Sequence, residues 1–380
     1  MARYSYSELK NKYDGFQEPV SIVKVNDKKI SDDKNKFIIG DVFVDITSGY
    51  EASIAGFSIY NCYDIVNQCF LMDALKKYIT LGSGVTIYLG YASNALHVFT
   101  GFISRVNYVY SKREQPYVQV SCMDVKGIMM ANNFCRQLVS LSYSNAVNEI
   151  FEKPLYAKLQ SNQIMNSVSI TATPDSRTVS GTENTDSSIE MDNESDYEFV
   201  VRAAKRFNYE FYVDCGDVIF RKAKAADNEL IELTAGNGVK SLDVQYDCTG
   251  IAGSITVRGM DVDKGKVIEA TLKNNNKISI GNIAKQYVKN NTKVYVDASV
   301  KSQSDADNRV AYYMEEVSYR FGSLECECIG IPEIKPGNFI KISEFGEGID
   351  NSFYVVSVIH TMNQEDGFTT KILGKTDQIK

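Results

Sequence analysis

A chain of 380 residues with 44% hydrophobic and 23% charged side chains has room for roughly two to four domains with cores of their own and the composition of an ordinary globular protein. A net charge of -7 and a pI near 5.2 argue against a surface that coats nucleic acid, so no specific nucleic-acid partner is expected. No stretch approaches the roughly 18 apolar residues that span a bilayer, and Met1-Ala2-Arg3-Tyr4-Ser5-Tyr6 has no apolar leader core, which points to assembly in a bacterial cytoplasm without stable membrane insertion.

Residues 1–19 are polar and aromatic and read as an N-terminal arm that orders only against a partner. Residues 20–130 read as a first β-barrel unit. Ile22–Val25, Val42–Ile46 and Ala52–Tyr60 are strand-like, and Asn61–Ile79 carries Ile65, Val66, Phe70, Leu71, Leu75 and Tyr78 at helical spacing. A meander follows: Val85–Leu89 after Gly84, Val98–Tyr108, and Tyr117–Cys122.

Residues 131–225 change character and read as an α/β domain. Ser144 is expected to cap a helix over Ala146–Phe151, and the Ser-, Thr-, Asp- and Glu-rich stretch 171–192 is expected to be an exposed loop. Ser195-Asp196-Tyr197-Glu198 is a capping box, and Phe199, Val200, Ala203 and Phe207 continue it as a helical stripe. Asn208 suits a left-handed end to that helix, and Tyr209–Val213 with Val218–Arg221 forms a hairpin around Asp214-Cys215-Gly216-Asp217.

Residues 226–380 read as a second β-barrel unit with a helix-containing excursion around 260–322. Strands are expected at Leu242–Tyr246, Ile251–Gly259 and Lys266–Leu272, and a helix from Ser302 or Ser304 to Tyr319. After Ser323–Ile331, the turn at Pro336-Gly337 opens a second meander: Phe339–Ser343, Phe353–His360 and Phe368–Leu373. The two meanders, one from Gly84 and one from Gly337, share a layout of short strands and polar breakers. The fold class that follows is α+β, mainly β: two related β-barrel units plus smaller α/β domains.

Chemistry is sparse. His97 and His360 lie in or at the ends of strands without cysteine or carboxylate at ligand spacing, so no metal or cofactor is expected. Asp261-Val262-Asp263 opens like a calcium loop, but Gly265 and Leu272 stand where ligands belong. Glu190, Asp192, Glu194, Asp196 and Glu198 could supply a carboxylate pair for glycoside cleavage; a helix N-terminus and a solvated loop account for them better. Cys326 and Cys328 share one strand face and read as core. The eight cysteines lack any C-x-x-C pair and suit free thiols in a reducing compartment. No catalytic residue is assigned.

The run Asn193-Glu194-Ser195-Asp196-Tyr197-Glu198-Phe199-Val200-Val201-Arg202-Ala203-Ala204 resembles the Ser-Asp-x-x-Phe-x-x-Arg-x-Ala helix of the phage late-control protein D family and of the type VI secretion spike protein with valine-glycine repeats. Here Arg202 is followed by two alanines, and the match holds at the second. Ile329-Gly330-Ile331-Pro332 through Lys335-Pro336-Gly337, then Tyr354 to Val358 and His360, then Gly367-Phe368-Thr369-Thr370, is similar to that family's second signature. Gly90-Tyr91 with Val98–Ile103 resembles its N-terminal barrel. The resemblance implies a structural baseplate hub of a contractile tail or injection particle, in a phage tail or phage-tail-like bacteriocin. The hub would be a homotrimer with pseudo-sixfold symmetry that joins a hexameric tube, or a tube-initiator protein, to a trimeric spike and meets other baseplate proteins. Because the chain ends at Lys380, the spike is expected to be a separate polypeptide. Family-signature positions with structural roles are Ser195, Asp196, Phe199, Arg202, Pro336, Gly337, Tyr354, Val358, His360 and Gly367. The alternatives are a tail-tip cell-wall hydrolase, which would need a carboxylate or zinc site, and a carbohydrate-binding tail adhesin, which the 24 tyrosines suit and the absence of Trp does not.

Overall fold

Val42, Val44 and Ile46 are each at most 3% exposed while the alternate Phe43 and Asp45 are only half-buried, the period of two that a pleated strand imposes. Repeated along the chain, this pattern builds the sheets. A computed structural model describes residues 3–138, 140, 142–175, 189–226, 228–261 and 264–379. Their largest sheet has 13 strands.

Pro19–Val25, Ile38–Thr47, Ile54–Tyr60, Gly84–Tyr91, Asn94–Val109 and Tyr117–Met123 form the first six-strand unit. In the sheet they lie in the order second, third, sixth, fifth, fourth, first. Glu229–Leu233, Val239–Tyr246, Gly322–Ile329, Phe339–Ile342, Asn351–Asn363 and Gly367–Thr376 form the second, and they lie in the same order. Neighbours are antiparallel throughout, except that Glu229–Leu233 runs parallel to Phe339–Ile342 where Pro19–Val25 runs antiparallel to Gly84–Tyr91. An irregularity repeats too: against the sixth strand, the fifth skips a residue at Ser104 in one unit and at Val356 in the other. Such a bulge bends the strand that carries it.

At Val356 the bent strand changes partners. Asn351–Tyr354 pairs with Phe339–Ile342 of its own unit, and Ser357–Met362 pairs antiparallel with Val42–Thr47 of the first. The Ser48 N–H donates to the Val356 carbonyl at 2.8 Å and closes this seam. The two units therefore share one apolar core, running from Val23, Val44 and Phe57 to Phe353 and Ile372.

Between the units, helices Tyr143–Phe151, Pro154–Ser161 and Asp196–Phe207 pack with the strands Tyr209–Asp214, Asp217–Lys222 and Val168–Ile170 around a separate core that includes Val147, Phe199, Phe211 and Phe220. The expected hairpin is present, and Asn208 ends its helix at φ 57°. Inside the second unit, Ser254–Asp261, Lys266–Lys273, Thr292–Val296 and the helix Gln303–Ser318 enclose a further core of Ile255, Val257, Ala306, Val310 and Met314. The excursion thus begins before residue 260.

Four local expectations change. The arm is ordered against its own chain: Ser5 and Glu8 form a capping box for the helix Tyr6–Lys12, and Leu9 and Tyr13 are buried. Asn61–Ile79 is a hairpin, Tyr63–Asp64 with Cys69–Phe70, followed by a single helical turn at Met72–Leu75. Asp64 accepts the Val66 and Asn67 N–H groups, a local turn that competes with helix and leaves Ile65 and Val66 more than 80% exposed. Ser142, not Ser144, caps the helix Tyr143–Phe151. Of the loop expected at 171–192, residues 176–188 lie outside the described residues, and Ile189–Glu194 is a strand paired with Phe134–Leu138. Val262 and Asp263 also lie outside them.

Candidate functional site

Ser195, Asp196, Phe199 and Arg202 share one helix, and each fixes a different neighbour. Ser195 and Glu198 satisfy each other's backbone N–H groups, as a capping box does. Asp196 is fully buried; Lys153 ion-pairs with it, the Tyr156 hydroxyl donates to it at 2.8 Å, and Asn132 bonds both its backbone and its carboxylate. Arg202 clasps the Glu194 carboxylate through Nε at 3.1 Å and Nη2 at 2.5 Å, and also donates to the Glu190 carbonyl. Its guanidinium lies over the ring of Phe199, which is fully buried. Every carboxylate of the acidic run from Glu194 to Glu198 is thereby engaged in holding structure.

Pro336, Gly337 and Tyr354 form a second group, at the boundary between the α/β domain and the second β unit. Gly337 has φ +80°, and a Cβ there would meet the Tyr212 hydroxyl at 2.7 Å. The Gly337 carbonyl accepts from Arg221 Nη2 at 2.5 Å, and Arg221 Nε reaches Glu210 Oε1 at 2.5 Å. Tyr354 donates its hydroxyl to the other oxygen of Glu210. Burial and that carboxylate push the Tyr354 hydroxyl well up from its usual range, so it stays a donor. Lys335 reaches Asp214 at 2.9 Å alongside. Charge-assisted bonds of this kind lock a junction where water is scarce.

Val358 and His360 belong to the seam, opposite Ile46 and Val44. His360 is fully buried, its Nδ1 is 2.9 Å from the Thr370 hydroxyl, and its Nε2 has no partner at hydrogen-bonding geometry. Burial pushes its pKa down to about 3, against a smaller pull from the Ile334 backbone; it is neutral at ordinary pH. Gly367, at φ +69°, makes the turn between the last two strands, where Asn363 Oδ1 accepts the Glu365 and Asp366 N–H groups. His97 sits half-buried with Nε2 at 2.7 Å from the Thr100 hydroxyl, and Cys326 and Cys328 are buried side by side in the core. Among the described residues no three His, Cys, Asp or Glu side chains gather as a metal would require.

All of the signature residues but Gly367, which makes the last turn, thus collect at three places: the capped helix, the junction and the seam. Glu210, Arg221, Lys153 and Tyr156 complete them and were not singled out from the sequence. One signal was available, since Glu210 and Arg221 face each other across the expected hairpin, where opposite charges attract. These groups bind elements to one another.

A family model described as the Alg8 N-terminal domain matches residues 72–364, more than half of the chain. No curated protein matches significantly. Among solved structures, a tail protein from Neisseria meningitidis MC58 aligns with a TM-score of 0.67 at 12% identity, over 95% of this chain and 98% of that one. The 43 kDa tail protein of prophage MuSo2 from Shewanella oneidensis aligns at 0.65 and 12%, over 94% and 98%. An E. coli component of the type VI secretion system, described as structurally similar to the T4 bacteriophage tail proteins gp27 and gp5, aligns at 0.53 and 10%, over 93% and 76%. The mainly β fold implied by the sequence resemblance is the fold these proteins share with this chain.

Proposed function

The chain belongs to the Alg8 N-terminal domain family, and from that premise and its tail-protein fold we propose that it is a structural baseplate hub of a contractile tail or injection particle. Three copies would present six similar β units to a hexameric tube above and a threefold face to a separate spike below. The observation that carries this reading is the internal duplication: two six-strand units of the same chain order and sheet order, fused by one seam. A doubled unit in a threefold assembly resolves a three-to-six mismatch. Residues 20–130 and 226–380 would form the ring, with the α/β domain of 131–225 locked beneath it by the Glu210–Arg221–Tyr354 junction. The role is mechanical and needs no catalyst, which agrees with the engagement of Glu194, Asp196 and Glu198 in structural bonds. The test is light scattering of the purified chain, followed by co-purification with tube and spike proteins encoded beside it. A trimer that binds both is expected. A persistent monomer that binds neither, or peptidoglycan hydrolysis lost on Glu194→Gln, would overturn the reading.

A further inference from the structure

The seam inside the chain has two unused halves. Its participants are the second strand of the first unit, Ile38–Thr47, and the far part of the fifth strand of the second unit, Ser357–Met362. The chain also contains a second strand in the second unit, Val239–Tyr246, and a fifth strand in the first, Asn94–Val109. Among the described residues Val239–Tyr246 ends the sheet, paired on one side only with Gly322–Ile329. Asn94–Val109 pairs with Gly84–Tyr91 only as far as Phe102; beyond it, Arg105–Val109 pairs with Tyr117–Ser121 on one edge, and among the described residues no strand occupies the other. Those are the two edges that the duplication makes equivalent to the seam.

Burial supports the equivalence. The strand pairings set Val42, Val44 and Ile46 level with Leu242, Val244 and Tyr246, and set Val358 and His360 level with Val106 and Tyr108. The seam residues are at most 3% exposed. Their counterparts are half-buried at Leu242, Val244, Tyr246 and Val106, and Tyr108 and Tyr110 are 42% and 58% exposed. Open strand edges bearing apolar side chains are ready templates for another strand.

We propose that Val239–Tyr246 of one copy pairs antiparallel with Arg105–Val109 of a second copy of this chain, repeating the internal seam between subunits. Carrying the seam register across places Arg105 opposite Asp247, Val106 opposite Tyr246, Asn107 opposite Gln245, Tyr108 opposite Val244 and Val109 opposite Asp243. The Cys248 N–H then meets the Ser104 carbonyl as Ser48 meets Val356. Arg105 against Asp247 adds a charge pair of the favourable sign. The contact joins two different patches, so it is head-to-tail, and it closes into a ring when its rotation is a whole fraction of a turn, as the threefold hub reading requires. The strands and register come from the chain's own seam; the number of copies, three, rests on the hub reading.

The test is a full-length N107C/Q245C variant, because facing residues of an antiparallel pair have Cα atoms about 4.5–5.5 Å apart, within disulfide reach. On oxidation it is expected to give a ladder on a non-reducing gel that stops at three copies. Mixed single variants N107C and Q245C are expected to give dimers, while each alone and the native chain, with its own thiols, give none. N107C/D243C, two residues out of register, is expected to cross-link far less. A trimer by light scattering without the N107C/Q245C cross-link overturns the edge pairing and leaves the hub reading standing. A cross-linked ladder that stops elsewhere than three overturns the trimer and leaves the pairing. A monomer that does not cross-link overturns both.

Discussion

Gly337 carries two constraints at once, a left-handed backbone and a Tyr212 hydroxyl where a Cβ would stand. A side chain in that conformation costs about 1–2 kcal/mol before any clash. Gly337→Ala is therefore expected to lower the unfolding free energy by at least that amount, read as a lower urea midpoint with an unchanged slope; an unchanged midpoint would mean that the turn relaxes freely. His360 predicts a pH dependence. An unfolded histidine titrates near 6.5 and this one is pushed down to about 3, so between those values the unfolded chain takes up a proton that the folded chain does not. Its contribution is intact above about pH 6.5 and is lost as pH falls toward 3, at roughly 1.4 kcal/mol per unit. His360→Phe removes that loss, so between pH 7.5 and 5 wild type should lose roughly 2 kcal/mol more than the variant in denaturant titrations. Parallel pH profiles would place the proton elsewhere.

The helix Asp196–Phe207 is held at its N-terminus by a buried ion pair, and the cost of breaking it falls on one element. Lys153→Met leaves the Asp196 carboxylate buried against only neutral partners, which costs about 3–5 kcal/mol. Hydrogen exchange should rise in Tyr143–Ser161 and Asp196–Phe207 while the β units stay protected; uniform exchange across the chain would show one cooperative unit. This helix was legible because its signals are local: Ser195 and Glu198 are three residues apart, and Asn208 marks the end. The Pro336-Gly337 turn and both meanders were legible for the same reason. Asn61–Ile79 misled, since Ile65, Val66 and Phe70 keep a helical spacing while the Asp64 side chain satisfies the backbone in a turn. The seam was not legible at all. Ser357–Met362 and Val42–Thr47 read as strands separately, but nothing in either says which edge it joins. Lys153 was missed because Asp196 becomes its neighbour only after the helices pack, whereas Glu210 and Arg221 already face each other in the expected hairpin.

In the whole molecule, cohesion is uneven. The two β units share a core, whereas the inserted module around Met314 has its own and meets the capped helix and the end of the hairpin after it through polar contacts: Arg206 with Asp305 at 2.6 Å, Asn208 with Glu315 at 2.8 Å, and Lys224 with Glu315. Polar contacts between units permit independent behaviour. Met314→Ala, which costs about 2–5 kcal/mol in a packed core, is expected to lower one calorimetric transition and spare the transition of the β units; a single shifted peak would show that they melt together. The seam also sets a clock on biosynthesis. Ser48 and Val356 are 308 residues apart, so at about 5–20 residues per second a ribosome exposes Ile38–Thr47 tens of seconds before the strand that covers it exists. For that interval the nascent first unit presents an open edge to neighbouring chains on the same message. A chain cut short before Asn351 never closes that edge, so translation that fails late yields a product lacking a sealed first unit.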